Sequence, residues 1–184
     1  MQKVRRSEIL DLQTYDRDRP RLRPAAMEAK EIRRIHLGAH LTFLFENRET
    51  VRYQIHEMIR AERLFRDEEI AHEIETYNEL LGGPGELGCS LLIEIPDPQD
   101  RDEKLRHWLP LLDHLYLALP DGRKVRPTFD ARQVGEDRLS SVQYLKFDVG
   151  GATPSAVGCD LPDLAIEAEL TAAQQGALSE DLRS

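Results

Sequence analysis

Cysteine is scarce: the 184 residues contain two, Cys89 and Cys159. They are too few for a disulfide framework and too far apart for a CxxC metal knuckle, so they read as buried, reduced thiols. Long apolar runs are missing as well. None approaches the roughly 18 residues that a membrane span needs. The basic opening, MQKVRRSEIL, has no apolar segment behind it of the secretory type. We therefore expect a cytoplasmic chain with no membrane association. Walker loops, GxSxG and HExxH patterns do not occur, and the GxGxxG match at 83–88, GPGELG, does not open a helix as a dinucleotide fingerprint must. GGPGELG has glycines but no Lys-Ser/Thr for a phosphate, and it leads into a strand. No motif names a cofactor or marks a nucleophile.

Positive charge is also in deficit, with a net −9 over the whole chain. The imbalance is uneven: residues 1–34 carry ten Lys/Arg against six Asp/Glu, a net +4, which leaves −13 on the rest. An acidic body argues against nucleic acid as a partner, because phosphate contact needs a positive surface. The basic segment could dock on an acidic partner, or its arginines could pair with carboxylates of this chain.

Apolar spacing and turn residues give a coarse map. Ser7 caps a short helix, SEILDLQTY, and Pro20 and Pro24 separate it from a second helix near 25–34. A hairpin turning at Gly38 carries a strand at 40–46, and Asn47 then caps a helix over 48–64. Asp67 caps a further helix that GGPG at 82–85 ends. Beyond it, LGCSLLIEIP is a strand and DPQDRDEKLRHWLPLLDH a helix that Pro110 bends or ends. LYLAL and RKVRPTF pair about Pro120-Asp121-Gly122, and SSVQYLKFDV is another strand. GGATPSAVG reads as a loop. LAIEAELT alternates, with Leu164, Ile166, Ala168 and Leu170 inward, and Thr171 with Gln174 forms a capping box for a last helix. The expected fold is one α+β domain over 1–184, with a mainly antiparallel sheet and helices concentrated in the N-terminal half. Its parts are a basic helical segment (1–34), a hairpin plus two helices (35–81) and a strand-rich remainder (86–184).

Polar candidates concentrate in HLGAHLTFLFENRETVRYQIHEMIRAERLF, residues 36–65. His36 and His40 have the i, i+4 spacing of helical metal ligands, but Gly38 between them favours a hairpin. Glu69-x-x-His72 is half of a di-iron motif, yet His72 falls about 200° from Ile70, opposite the apolar face. His107 and His114 read as helix-end residues. On the 48–64 helix, Val51, Ile55, Met58 and Ile59 form an apolar stripe. Glu62 falls about 20° from Val51, at the stripe's centre, whereas Tyr53, His56, Glu57 and Arg60 lie on the far side. A carboxylate inside an apolar stripe must be paired, protonated or coordinated. Glu62 is thus either a core-edge ion pair with an N-terminal arginine or with backbone donors, or part of a polar or metal site, or else the stripe ends before it and it is exposed. The binding candidates are Arg48, Glu57, Arg60 and Glu62, and the metal candidates are His40, Glu46 and Glu62.

These residues, with ILDLQTYDRDRPRLRP, LLIEIPDP and SSVQYLKF, resemble an uncharacterised bacterial family, a domain of unknown function of about this length. The resemblance covers nearly the whole chain. His40, Glu46, Arg48, Glu57, Arg60 and Glu62 fit its pattern, and His36 and His56 depart from it. It implies no activity, but it does imply genomic neighbours: rubrerythrin-like proteins and iron–sulfur oxidoreductases. Two functions follow as expectations. One is a non-catalytic accessory or partner of such a redox, oxidative-stress system. The other is a metal-binding protein or enzyme with its site between the 40–46 strand and the 48–64 helix. Oligomeric state is left open.

Overall fold

In the computed structural model, which describes residues 1–184, the chain opens on a 3₁₀ turn at Arg6–Glu8 and enters helix α1 (Leu12–Glu31). The cap is Asp11, whose carboxylate accepts the Thr14 amide, and not Ser7. Against expectation, α1 runs unbroken through Pro20 and Pro24. Both prolines are exposed. Spaced four apart they share one helix face, so the carbonyls they deprive of a donor lie towards water.

The hairpin follows as expected: β1 (Arg34–Leu37) pairs with β2 (Leu41–Glu46). Gly38 takes φ +63° in its turn. Asn47 then caps α2 (Arg48–Glu62) in a reciprocal box with Thr50. Arg63, at φ 54°, adopts the left-handed conformation that ends this helix. Helix α3 (Asp67–Asn78) starts at Asp67, which sits in the first turn and is not the cap. Next come β3 (Glu86–Ile93), α4 (Pro98–His107), α5 (Leu111–His114), β4 (Leu115–Ala118), β5 (Lys124–Val125), β6 (Val142–Asp148), β7 (Ala156–Cys159), β8 (Ile166–Glu169) and α6 (Ala172–Arg183).

The fold is α+β and antiparallel throughout, but with two sheets where one was expected. The first has the order β1-β2-β3-β6 and the second β5-β4-β7-β8. Phe43, Phe45, Leu91 and Phe147 of the first sheet join Leu115, Leu117 and Val157 of the second in one core, which Leu105, Trp108 and Leu112 also enter. Every residue of β2 is buried, because helices cover its other face. Strand β7 lies where a loop was expected, since Pro154, Ser155 and Gly158 mask its pattern. Gly158 is required there: a Cβ would stand 2.3 Å from the Tyr116 ring. Ile166, expected inward, is 39% exposed.

Helices α2 and α3 build a smaller core of Val51, Ile55, Ile59, Ile70 and Ile74, which Val4 and Ile9 close from the N-terminal segment. Leu80, just past α3, crosses β3 at Gly88, where any Cβ would lie 1.8 Å from the Leu80 carbonyl oxygen. At the free edge of β6, Thr128 bridges to Lys146. The Gln133 side chain then pairs with the next residue along that edge, donating to the Tyr144 carbonyl and accepting its amide.

Candidate functional site

Glu46 ends β2 and is buried, at 7% exposure. Its carboxylate accepts from the Thr50 hydroxyl at 2.5 Å and the Ser90 hydroxyl at 2.7 Å. Strand pairing brings Ser90 to this face, and the first turn of α2 supplies Thr50. Lys30, from the end of α1, lies over the Tyr53 ring and donates to the Gln54 amide oxygen at 3.4 Å. Burial lowers its pKa, an effect that Glu46 opposes. Burial raises the pKa of Tyr77, an effect that Gln54 opposes. A polar seam thus runs beneath α2 from Glu46 to Tyr77.

Further along the same side, α2 packs against the body of α1. Here Glu57 receives the Arg19 guanidinium on both oxygens, at 2.7 and 2.8 Å, and the Tyr15 hydroxyl at 2.5 Å. The Arg19 hydrogen bonds hold its carboxyl down at a pKa of about 2. One turn on, Arg60 pairs with Asp16 at 2.7 Å. His56, expected on an open surface, is instead 5% exposed and stacked on Tyr15 at 4.5 Å. Its Nε2 accepts the Leu10 amide, so Nδ1 carries the proton and donates to the Arg52 carbonyl. Burial lowers its pKa. The outer face of the helical wheel is therefore an interface, because the unbroken α1 covers it.

Glu62 requires the opposite correction. It is exposed and has no charged partner, because the apolar stripe ends at Ile59 and the left-handed Arg63 turns the chain away. Phe65 beyond it is 71% exposed. The metal candidates do not converge: His40 lies at the start of β2 beside Trp108, with Glu46 at the far end, about 20 Å along an extended strand. No group of three or more His, Cys, Asp and Glu side chains forms a cage for an ion. His36 bonds Thr42, and His107 and His114 cap helix ends on Asp163 and Asp160. Arg48, at the other end of α2, pairs with Glu8 at 2.6 Å. Of the four binding candidates, then, Glu57 and Arg60 share one face, while Arg48 and Glu62 stand apart. Both thiols are buried, which raises their pKa values.

A concavity of about 670 Å³ lies between the C-terminal end of α3 and the outer side of β6. Tyr77, Leu80, Phe129 and Tyr144 line it, with Lys146 in its wall and Glu79, Asp130 and Arg132 at its rim.

Residues 3–182 match the family described as protein of unknown function (DUF3501). The chain belongs to that family. No functionally curated protein matches it. Among solved structures, a novel protein of unknown function from Burkholderia pseudomallei K96243 shares 27% identity at a TM-score of 0.89, covering 98% of this chain and 100% of that one. The likeness therefore spans both sheets and the helical layer of this DUF3501 chain. Sequence reasoning did not find the cleft, because Tyr77, Phe129 and Tyr144 come from three separate segments. Nor did it find the buried pair of Arg33 and Asp181, at 2.7 Å, since 148 positions separate the two residues.

Proposed function

We propose that this protein is a non-catalytic accessory that docks on a partner protein of a cytoplasmic redox system, of the rubrerythrin-like or iron–sulfur kind that the family resemblance implies. The observation carrying this reading is Phe65, an aromatic side chain 71% exposed at the turn between α2 and α3. Large apolar side chains set among charges are common anchors of protein interfaces. Around Phe65 stand Glu62 and the acid-rich start of α3. Helix α3 carries Asp67, Glu68, Glu69, Glu73 and Glu75 and no Lys or Arg. Burial and the nearby charge of Glu62 raise the pKa of Glu73, so these two carboxylates repel one another, whereas Asp67 and Glu69 are held by Arg6 and Arg66. The complementary partner surface is an apolar slot with a basic rim. The basic N-terminal segment is a poorer docking face, because Arg6, Arg19 and Arg33 are already paired with Asp67, Glu57 and Asp181.

Calorimetry with the purified neighbouring rubrerythrin-like and iron–sulfur proteins tests the reading. Binding of one of them should weaken with salt, and Phe65→Ser or a Glu62→Lys/Glu73→Lys double variant should abolish it. Capture of neither neighbour, or binding indifferent to these changes, would sink it. Stoichiometric iron, zinc or manganese in protein purified without a histidine tag would favour the metal-site function in its place.

A further inference from the structure

The cleft between α3 and β6 has no part in the docking surface. Phe65 precedes α3 and the cleft follows it, about 18 Å further along a twelve-residue helix. A volume of about 670 Å³ lies within the usual range of small-molecule sites. Its wall combines three aromatic rings and Leu80 with one ammonium group, that of Lys146. Tyr144 remains 48% exposed although strand pairing fixes its backbone on both sides, which leaves its ring open to the cleft.

Lys146 is the unusual element. It is half-buried, and its one hydrogen bond goes to the Leu81 carbonyl. An ammonium has three protons to donate. Glu86 and Glu79 act on it only from beyond ion-pair distance, and burial lowers its pKa. Arg132, the other cation of the cleft, is already clamped on Asp130 through both carboxylate oxygens. The cleft thus offers flat apolar walls and one under-partnered positive charge.

We propose that this cleft binds a small monoanion with a planar apolar body, its carboxylate received by Lys146 and its body lying among Tyr77, Leu80, Phe129 and Tyr144. A phosphate dianion fits less well. It would meet a single free cation, no cradle of backbone amides, and repulsion from Glu79 and Asp130 at the rim. A polypeptide strand cannot enter by pairing with β6, because Thr128 and Gln133 already occupy that edge.

The test uses 2-naphthoate as probe and its uncharged isostere 2-naphthamide, titrated into the full chain and followed by amide chemical shifts. Naphthoate should bind at least tenfold more tightly than naphthamide, with shifts centred on Tyr77, Phe129 and Tyr144. Lys146→Met should erase the difference between the two probes. Tyr144→Ser, which leaves the Lys146 contact intact, should weaken both alike. Inorganic phosphate should not compete. Equal binding of the two probes, shifts centred elsewhere, or displacement by phosphate would each overturn the proposal.

Discussion

Replacing Asp181 by alanine should destabilise the protein far more than removing any of its surface carboxylates. Asp181 sits on α6 at 7% exposure and receives the Arg33 guanidinium on both oxygens, at 2.7 and 2.9 Å. Arg33 is itself 5% exposed, and the Ala29 carbonyl is its one other partner. The pair ties the last helix to the junction of α1 and β1, and Asn47, the cap of α2, also reaches Asp181. Removing the carboxylate leaves a guanidinium stranded away from water, at a cost of about 3–5 kcal/mol. For a chain of this size, about 2–4 °C of melting temperature accompanies each kcal/mol, so the midpoint should fall by about 6–20 °C. Asp16→Ala is the control. Its partner Arg60 is 46% exposed, and half-exposed pairs contribute about 0.2–1 kcal/mol. Replacing both buried residues, Arg33→Met with Asp181→Leu, should recover most of the loss, because no charge is then left uncompensated. Thermal and urea denaturation followed by circular dichroism give the stability change of each of the three variants. If Asp181→Ala costs no more than Asp16→Ala, the buried-charge argument is wrong.

Three further outcomes follow from the same structure. Glu57 is held at a pKa of about 2 against its ordinary 4.5, so its stabilisation is present above pH 4.5 and lost as pH falls towards 2. Glu57→Gln should remove on the order of 2–3 kcal/mol at neutral pH and flatten the acid-unfolding limb between those values. His56 is neutral and buried, with its pKa below the ordinary 6.5, so the unfolded chain takes up the proton first and stability declines as pH drops below 6.5. Its ring shifts in an NMR titration should show this lowered pKa, and a midpoint at or above 6.5 would contradict the burial. Gly88→Ala places a methyl against the Leu80 carbonyl and should cost about 1–3 kcal/mol, measured as a shift of the urea midpoint.

Where chemistry is local, the sequence was a good guide. The Asn47 cap, the turn at Gly38 and the Thr171–Gln174 box each depend on residues within a few positions of one another, and each lies where expected. Long-range packing decided the rest. Pro20 and Pro24 are read as breaks by any local rule. They survive inside α1 because both face water, while Tyr15, Arg19 and Ala26 on the other side hold the helix against α2. Missing that continuity also misplaced His56, since the helix that buries it was not foreseen. Glu62 failed for a related reason: the wheel extends a helix indefinitely, and nothing in Ala61-Glu62-Arg63 announces that Arg63 turns left-handed. The cleft and the second sheet depend on strands brought together across long loops, and a strand glycine such as Gly158 resembles loop punctuation until the ring it accommodates is known.

Gln133 has a consequence for how copies of this protein meet. An outermost strand with free amides and carbonyls is a template on which another chain can grow. The amide side chain of Gln133 carries the same donor and acceptor as a peptide group, and it satisfies both backbone groups of Tyr144 without adding a strand. Beside it, Val142 and Tyr144 are 38% and 48% exposed, an apolar surface that would favour stacking if the backbone were bare. One glutamine therefore separates a surface available to side-chain recognition from one prone to aggregation. Crowded molecules of this protein can touch there without zipping together.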